Sequence, residues 1–132
     1  KSRSRGLGDV YKRQLKLKVN SLKGNTNYDS IFKSRDHQLS SGPFKILLQK
    51  NKNKKIFLGL IVPKKKISLA ANRNFVKRRA RELARNKSLE GFNIIFLVAI
   101  KIKTFNESEV KNNIKKLKRK IESLLSHELS DQ

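Results

Sequence analysis

Cysteine is absent from the 132 residues, which excludes disulfides and thiolate metal sites. Acids are scarce as well: ten Asp and Glu, scattered along the chain. The only two histidines, His37 in a polar stretch and His127 near the end, have no partner at metal-ligand spacing. Hydrolysis by protein groups alone needs a carboxylate cluster holding metal or a placed general base, and the pattern contains neither. There is no Gly-rich phosphate loop and no nucleophile constellation. The chain is therefore expected to carry no catalytic residue and to bind no metal itself. No apolar run approaches the roughly 18 residues of a membrane span. The longest, Ile94 to Ile100, has the length of a strand. No hydrophobic secretory segment stands ahead of the domain, so a cytoplasmic protein without a membrane partner is expected.

What the chain has is positive charge. Its 33 Lys and Arg give a formal net charge of +23, a self-repulsion that a polyanionic partner relieves. Nucleic acid is the default partner, with an anionic membrane surface as the rival. At this length the chain is one domain with a single modest core.

The charge concentrates between Lys64 and Lys87, where ten Lys and Arg face one acid, Glu82. On a helix Arg73, Lys77, Arg81 and Arg85 step round by about 40° each, and Asn74 and Arg78 fall in the same sector. Val76, Ala80, Leu83 and Ala84 form the adjoining apolar sector, so one side docks while the other presents donors. A solvated helix face usually mixes signs through i,i+4 pairs, whereas this one carries a single acid. Lys64, Lys65 and Lys66 extend the positive surface to the helix start, which Ser68 is expected to cap.

Along the chain, residues 1–14 show no periodicity. They read as a disordered or foreign head, or a fragment start, and are assigned no function. A domain is expected over residues 15–126, followed by a tail at 127–132. Asn25 to Lys33 reads as a short helix with Tyr28, Ile31 and Phe32 on one side. A polar linker, Ser34 to Gly42, leads to a strand in FKILLQK, and KIFLGLIVP forms the next, the two predicted to make an antiparallel hairpin with a charged tip. The basic helix is predicted from about Leu69 to Asn86. FNIIFLVAI is predicted to be a central strand buried on both faces. Asn106 and Glu109 resemble a capping box ahead of Val110, Ile114, Leu117, Ile121 and Leu124, an amphipathic last helix. The lysines on its other side read as a solvated face. The predicted order is αββαβα, an α+β two-layer sandwich of one sheet with helices packed on it.

In GLIVPKKKISLAANRNFVKRRARE, the strand, the lysine cluster, Ala-x-x-Arg-Asn and Lys-Arg-x-x-Arg-Glu resemble the protein subunit of bacterial ribonuclease P. NYDSIF is similar to that family's aromatic first helix, and the likeness runs in register from about Leu15 to Leu125. It implies a left-handed βαβ crossover, against the usual right-handed rule. It also implies that Lys64, Lys65, Lys66, Arg73, Asn74, Lys77, Arg78, Arg81 and Arg85 meet the catalytic RNA subunit. The 5′ leader of precursor tRNA would lie in a cleft beside Tyr28 and Phe32. The chain would be part of an endoribonuclease holoenzyme for tRNA 5′ maturation whose RNA subunit, with its Mg2+ ions, does the chemistry. No DNA partner is expected. One position departs from the family: its usual Arg-Asn-Arg reads Arg73-Asn74-Phe75. Phe75 falls at about 200° on the wheel, away from both the docking sector and the stripe, so the lost charge is expected to touch a peripheral contact.

Two alternatives stay open on the residues themselves. A structural or ribosomal RNA-binding protein would share the size and charge. Tyr28 and Phe32, spaced i and i+4 on an amphipathic helix, fit a core role as well as base stacking.

Overall fold

The structure is a computed structural model that describes residues 17–130; the reading of residues 1–14 and the side chain of His127 lie outside the described residues. The elements are β1 (Val19–Ser21), α1 (Asn25–Ser34), β2 (His37–Ser41), β3 (Phe44–Lys50), β4 (Ile56–Ile61), α2 (Ala70–Ala84), a 3-10 turn (Lys87–Leu89), β5 (Phe92–Val98) and α3 (Glu107–Ser130). The predicted αββαβα order is present as the backbone of an α+β fold, with β1 and β2 added as short strands. α3 runs past the expected domain limit at residue 126.

The strands form one mixed sheet in the order β1-β4-β5-β3-β2. FNIIFLV is almost entirely apolar, and such a strand is stable only with partners on both edges and cover on both faces. It takes the centre: β5 pairs antiparallel with β3 (Ile46 opposite Phe96) and parallel with β4 (Leu58 opposite Ile94). The expected β3–β4 hairpin is therefore corrected, because β5 separates the two strands. Asn51 holds the split open at its base. Its backbone N–H donates to Gly91 O at 2.7 Å, and its side-chain amide donates to Lys55 O at 3.1 Å and to Asn93 Oδ1 at 3.0 Å.

The linker expected at residues 34–42 contains β2, which pairs antiparallel with β3 from His37 opposite Leu48 to Ser41 opposite Phe44. β1 lies parallel to β4 at the other edge, with Val19 opposite Ile56. Both are edge strands with polar side chains, so neither carries a strong apolar signal.

Alternate residues of the sheet feed two cores. Phe44, Ile46, Leu48, Ile56, Leu58, Ile94 and Phe96 pack with Val76, Ala80, Leu83, Ile114, Leu117 and Ile121 of α2 and α3. On the opposite face Leu47 and Ile95 pack with Leu22 and Ile31, with Tyr28 and Phe57 against them. The two faces of α1 differ from expectation. Ile31 is buried, whereas Phe32 is 41 % exposed and belongs to neither core.

The start of α2 differs too. Leu69 is the N-cap, in an extended conformation with no side-chain cap bond, so Ser68 does not cap the helix. The helix ends at Ala84, and Arg85 stands just beyond it with its N–H on Glu82 O at 3.2 Å. At α3 the Asn106 half of the expected capping box is present: Asn106 Oδ1 accepts from the Glu109 N–H at 3.2 Å. α3 is also pinned to the β2 edge, where Ser41 Oγ donates to Asn113 Oδ1 at 3.0 Å and Lys120 Nζ donates to Ser40 O at 2.6 Å.

Candidate nucleic-acid interface

α2 docks on the sheet through Val76, Ala80, Leu83 and Ala84, the apolar sector read from sequence, and this turns the basic sector outward. Asn74, Arg78, Arg81 and Arg85 are exposed, while Arg73 and Lys77 are half-buried. Arg73 has a structural bond that spacing does not reveal. Its Nη1 donates to Ser68 O at 2.8 Å and to Ile67 O at 3.0 Å. It thereby fixes the loop that carries the lysine triplet. Pro63 O accepts from the backbone of Lys66 at 3.0 Å and of Ile67 at 3.1 Å, and Lys66 O accepts from Ile102 N at 2.9 Å. Lys64 and Lys65 are exposed on this turn and Lys66 is half-buried, so the triplet adjoins the N-terminal end of the stripe.

Beside the stripe lies a cleft of about 240 Å3 lined by Val19, Asn20, Ser21 and Leu22, by Leu58 and Leu60 of β4, by Tyr28 of α1 and by Arg81 of α2. Tyr28 lies over Gly59. A Cβ at that glycine would stand 2.8 Å from Tyr28 Oη and 2.9 Å from Cζ, so only glycine lets the ring approach β4 this closely. The Tyr28 hydroxyl donates to Leu22 O at 3.3 Å, which holds the ring at the cleft wall. Phe32, one turn further along α1, does not line this cleft. A second hollow of about 240 Å3 continues along β1, lined by Leu17, Lys18, Asn20, Lys54, Lys55, Ile56 and Glu90. Asn20 is common to both, anchored by its amide on Ile56 O at 3.2 Å. The two adjoin as a trench along the β1 edge, with Tyr28 on a mostly polar wall at the α1 end and Lys18, Lys54, Lys55 and Glu90 at the other.

Sequence reasoning thus placed Arg81 and Tyr28 in separate groups, and the fold brings them to one cleft. It did not find Lys18, Asn20, Lys54 or Lys55, which carry no pattern of their own. Gly59 was findable: a lone glycine inside an apolar strand marks a close approach. Phe75 requires a correction. It does not stand apart from the docking side but packs edge-on against Phe105, with ring centroids 6.0 Å apart at 88°, and is partly buried against the main core. The Arg79 guanidinium lies 5.3 Å from its centroid and Lys111 Nζ 6.0 Å. The ring that replaces a charge therefore sits between two others.

A mixed sheet backed by a cationic helix, with a cleft walled by Tyr28 at its edge, defines a small basic α+β protein. Comparison with known proteins narrows the class. Residues 17–122 match the Ribonuclease P family. The Ribonuclease P protein component of Marinomonas sp. (strain MWYL1) is 33% identical over 92 residues, covering 68% of this chain and 70% of that protein. Two solved structures share the fold. The Thermotoga maritima RNase P protein superposes with a TM-score of 0.58 at 29% identity, covering 76% of this chain and 96% of that one. The Staphylococcus aureus RNase P protein does so with a TM-score of 0.61 at 23% identity, covering 75% and 92%. The chain belongs to the ribonuclease P protein family, whose members are components of a tRNA-processing endoribonuclease.

Proposed function

We propose that this protein is the subunit that lends binding to a catalytic RNA: it holds the ribonuclease P RNA through the α2 stripe and the 5′ leader of precursor tRNA in the β1-edge trench. The observation that carries the reading is the shared cleft of Tyr28 and Arg81, which joins a stacking surface to the phosphate-binding stripe. The chemistry of the residues matches the task. Arg78, Arg81 and Arg85 can fork onto phosphate oxygens, and Lys64, Lys65, Lys66 and Lys77 act as point charges. Asn74 can orient a phosphate oxygen. Together with the free edge of Arg73 they neutralise phosphates that otherwise repel one another as two RNAs approach, and the released counterions make binding steeply salt-dependent.

Unpaired leader bases stack against Tyr28, and Phe32 offers a second, exposed ring one turn away, both sequence-tolerant contacts. The lysines at the far end of the trench, Lys18, Lys54 and Lys55, extend the path for the leader backbone. Hydrolysis and its Mg2+ ions belong to the RNA subunit in this reading, and the protein's residues bind and orient. The working compartment is the cytoplasm and DNA is not a partner.

The test is equilibrium binding of precursor tRNA, with and without its leader, to a bacterial ribonuclease P RNA in the presence and absence of this protein. Tighter binding confined to the leader-bearing substrate supports the reading. Equal tightening of both substrates removes the trench from it; in a pull-down from bacterial extract, recovery of ribosomal RNA in place of this ribozyme favours a structural RNA-binding role.

A further inference from the structure

A second groove, of about 390 Å3, lies between α2 and α3 on the other side of the basic helix. Its walls are Arg79 and Glu82 from α2 and Lys111, Lys115 and Lys118 from α3, and its floor is Leu83 and Ile114. The spacing of the lysines on α3 places them on one side of that helix, which by itself is what a solvated face looks like. The packing changes this, because the helix pairing sets them opposite Arg79 across a shared hollow. Two residues at about 100° each put Arg79 roughly 160° from both Lys77 and Arg81. Arg79 is therefore a cation of α2 that faces away from the stripe, beyond the apolar sector that docks on the sheet.

Two details show that the cations are positioned. Phe75 takes Arg79 and Lys111 at 5.3 and 6.0 Å from its ring centroid, so the aromatic ring holds a cation from each helix at the end of the groove. Among the described residues Glu82 is the one acid lining the groove, and its pairing with Arg79 at 3.4 Å is a half-exposed i,i+3 contact of little strength. It cannot offset four cations, and a phosphate can displace it.

We infer that the α2–α3 groove is a second RNA-backbone site, so that the protein holds two RNA segments at once, one on the stripe and one behind it. A strand of phosphates is the occupant that suits four cations spread along a groove with an apolar floor. The groove is too distant in angle from the stripe for one segment to fill both by simple extension. The inference rests on the proposed reading only for which RNA is bound, the ribonuclease P RNA.

The absence of cysteine makes a direct test simple. An iron chelate that cuts RNA backbone by hydroxyl radicals is tethered to Ala70→Cys, seven residues before Lys77 on the stripe, or to Ser108→Cys, seven before Lys115 beside the groove. Each protein is assembled with the ribonuclease P RNA. The expected result is two separate cleavage zones, the second lost in Ser108→Cys carrying Lys115→Gln and Lys118→Gln while the first persists in Ala70→Cys with the same changes. The Lys115→Gln, Lys118→Gln protein should also lower the slope of log K against log salt by about 1.4 to 1.8, with an unchanged melting temperature. Cleavage from residue 70 alone overturns the inference and leaves the proposed function standing. Cleavage from neither overturns both, and a single zone reached from both positions overturns the two-segment arrangement.

Discussion

Replacing Phe32 by Ala separates two readings that spacing alone left tied. Were Phe32 a core residue, its truncation would cost about 3–5 kcal/mol through lost burial and the cavity left behind. For a domain of this size each kcal/mol moves the melting temperature by roughly 4 °C or more, so that cost means a fall above about 12 °C. The ring is instead 41 % exposed and outside both cores, and a surface change of this kind falls within about 0.5 kcal/mol. The expected shift is thus at most a few degrees. Stacking of an unpaired base is worth about 1–3 kcal/mol, so affinity for leader-bearing precursor tRNA should fall by about 5- to 150-fold. Affinity for the leaderless RNA should stay the same. A calorimetric melt and a paired binding titration read both effects. A fall in melting temperature beyond about 10 °C would refute the surface placement. An unshifted melt with unshifted leader affinity would refute the stacking role.

Gly59→Ala drives a methyl group into Tyr28, so the ring must leave Leu22 O or the strand must shift; a loss of about 1–3 kcal/mol in denaturant titration is expected, together with weaker leader binding. If both stay at wild-type values, the close approach of Tyr28 to β4 is wrong. Arg73→Ala removes the donor that holds Ile67 O and Ser68 O, which should cost about 1–3 kcal/mol in stability as well as RNA affinity, whereas a pure contact residue would lose affinity alone. Lys77→Ala with Arg81→Ala should reduce the salt slope of RNA-subunit binding by about 1.4 to 1.8 without lowering the melting temperature, and an unchanged slope takes both residues off the interface.

Much of this was legible from residue order because several signals agreed. β5 announced itself through an uninterrupted apolar run, α3 through Val110, Ile114, Leu117 and Ile121 at helical spacing, and α2 through adjoining apolar and basic sectors. The errors fell where the deciding contact is distant in sequence. KILLQ and IFLGLI look like neighbours in a hairpin, and no local feature says that a strand some thirty residues on will pass between them. His37–Ser41 reads as a linker because an edge strand needs few apolar residues. Phe32 and Ile31 could not be ranked by angle alone, since the packing of α1 on Leu47 and Ile95 decides which is covered.

The site follows the same division. The stripe was visible because one helix carries it, whereas the cleft is assembled from β1, α1, β4 and α2 and exists only once they meet. Arg73 could be read only as a stripe residue, because its bonds to the preceding loop depend on a turn geometry that spacing does not encode. The groove between α2 and α3 was hidden for the same reason, its lysines and Arg79 lying on separate helices.

The central claim is that the protein contributes binding to a reaction that an RNA performs, and single-turnover cleavage of a 5′-leader precursor tRNA by a bacterial ribonuclease P RNA at low magnesium tests it most directly. The account predicts strong stimulation on adding this protein, growing with leader length until the trench is filled, and no cleavage by RNA-free protein. Cleavage by the protein alone, or tight RNA binding with no stimulation, would contradict it.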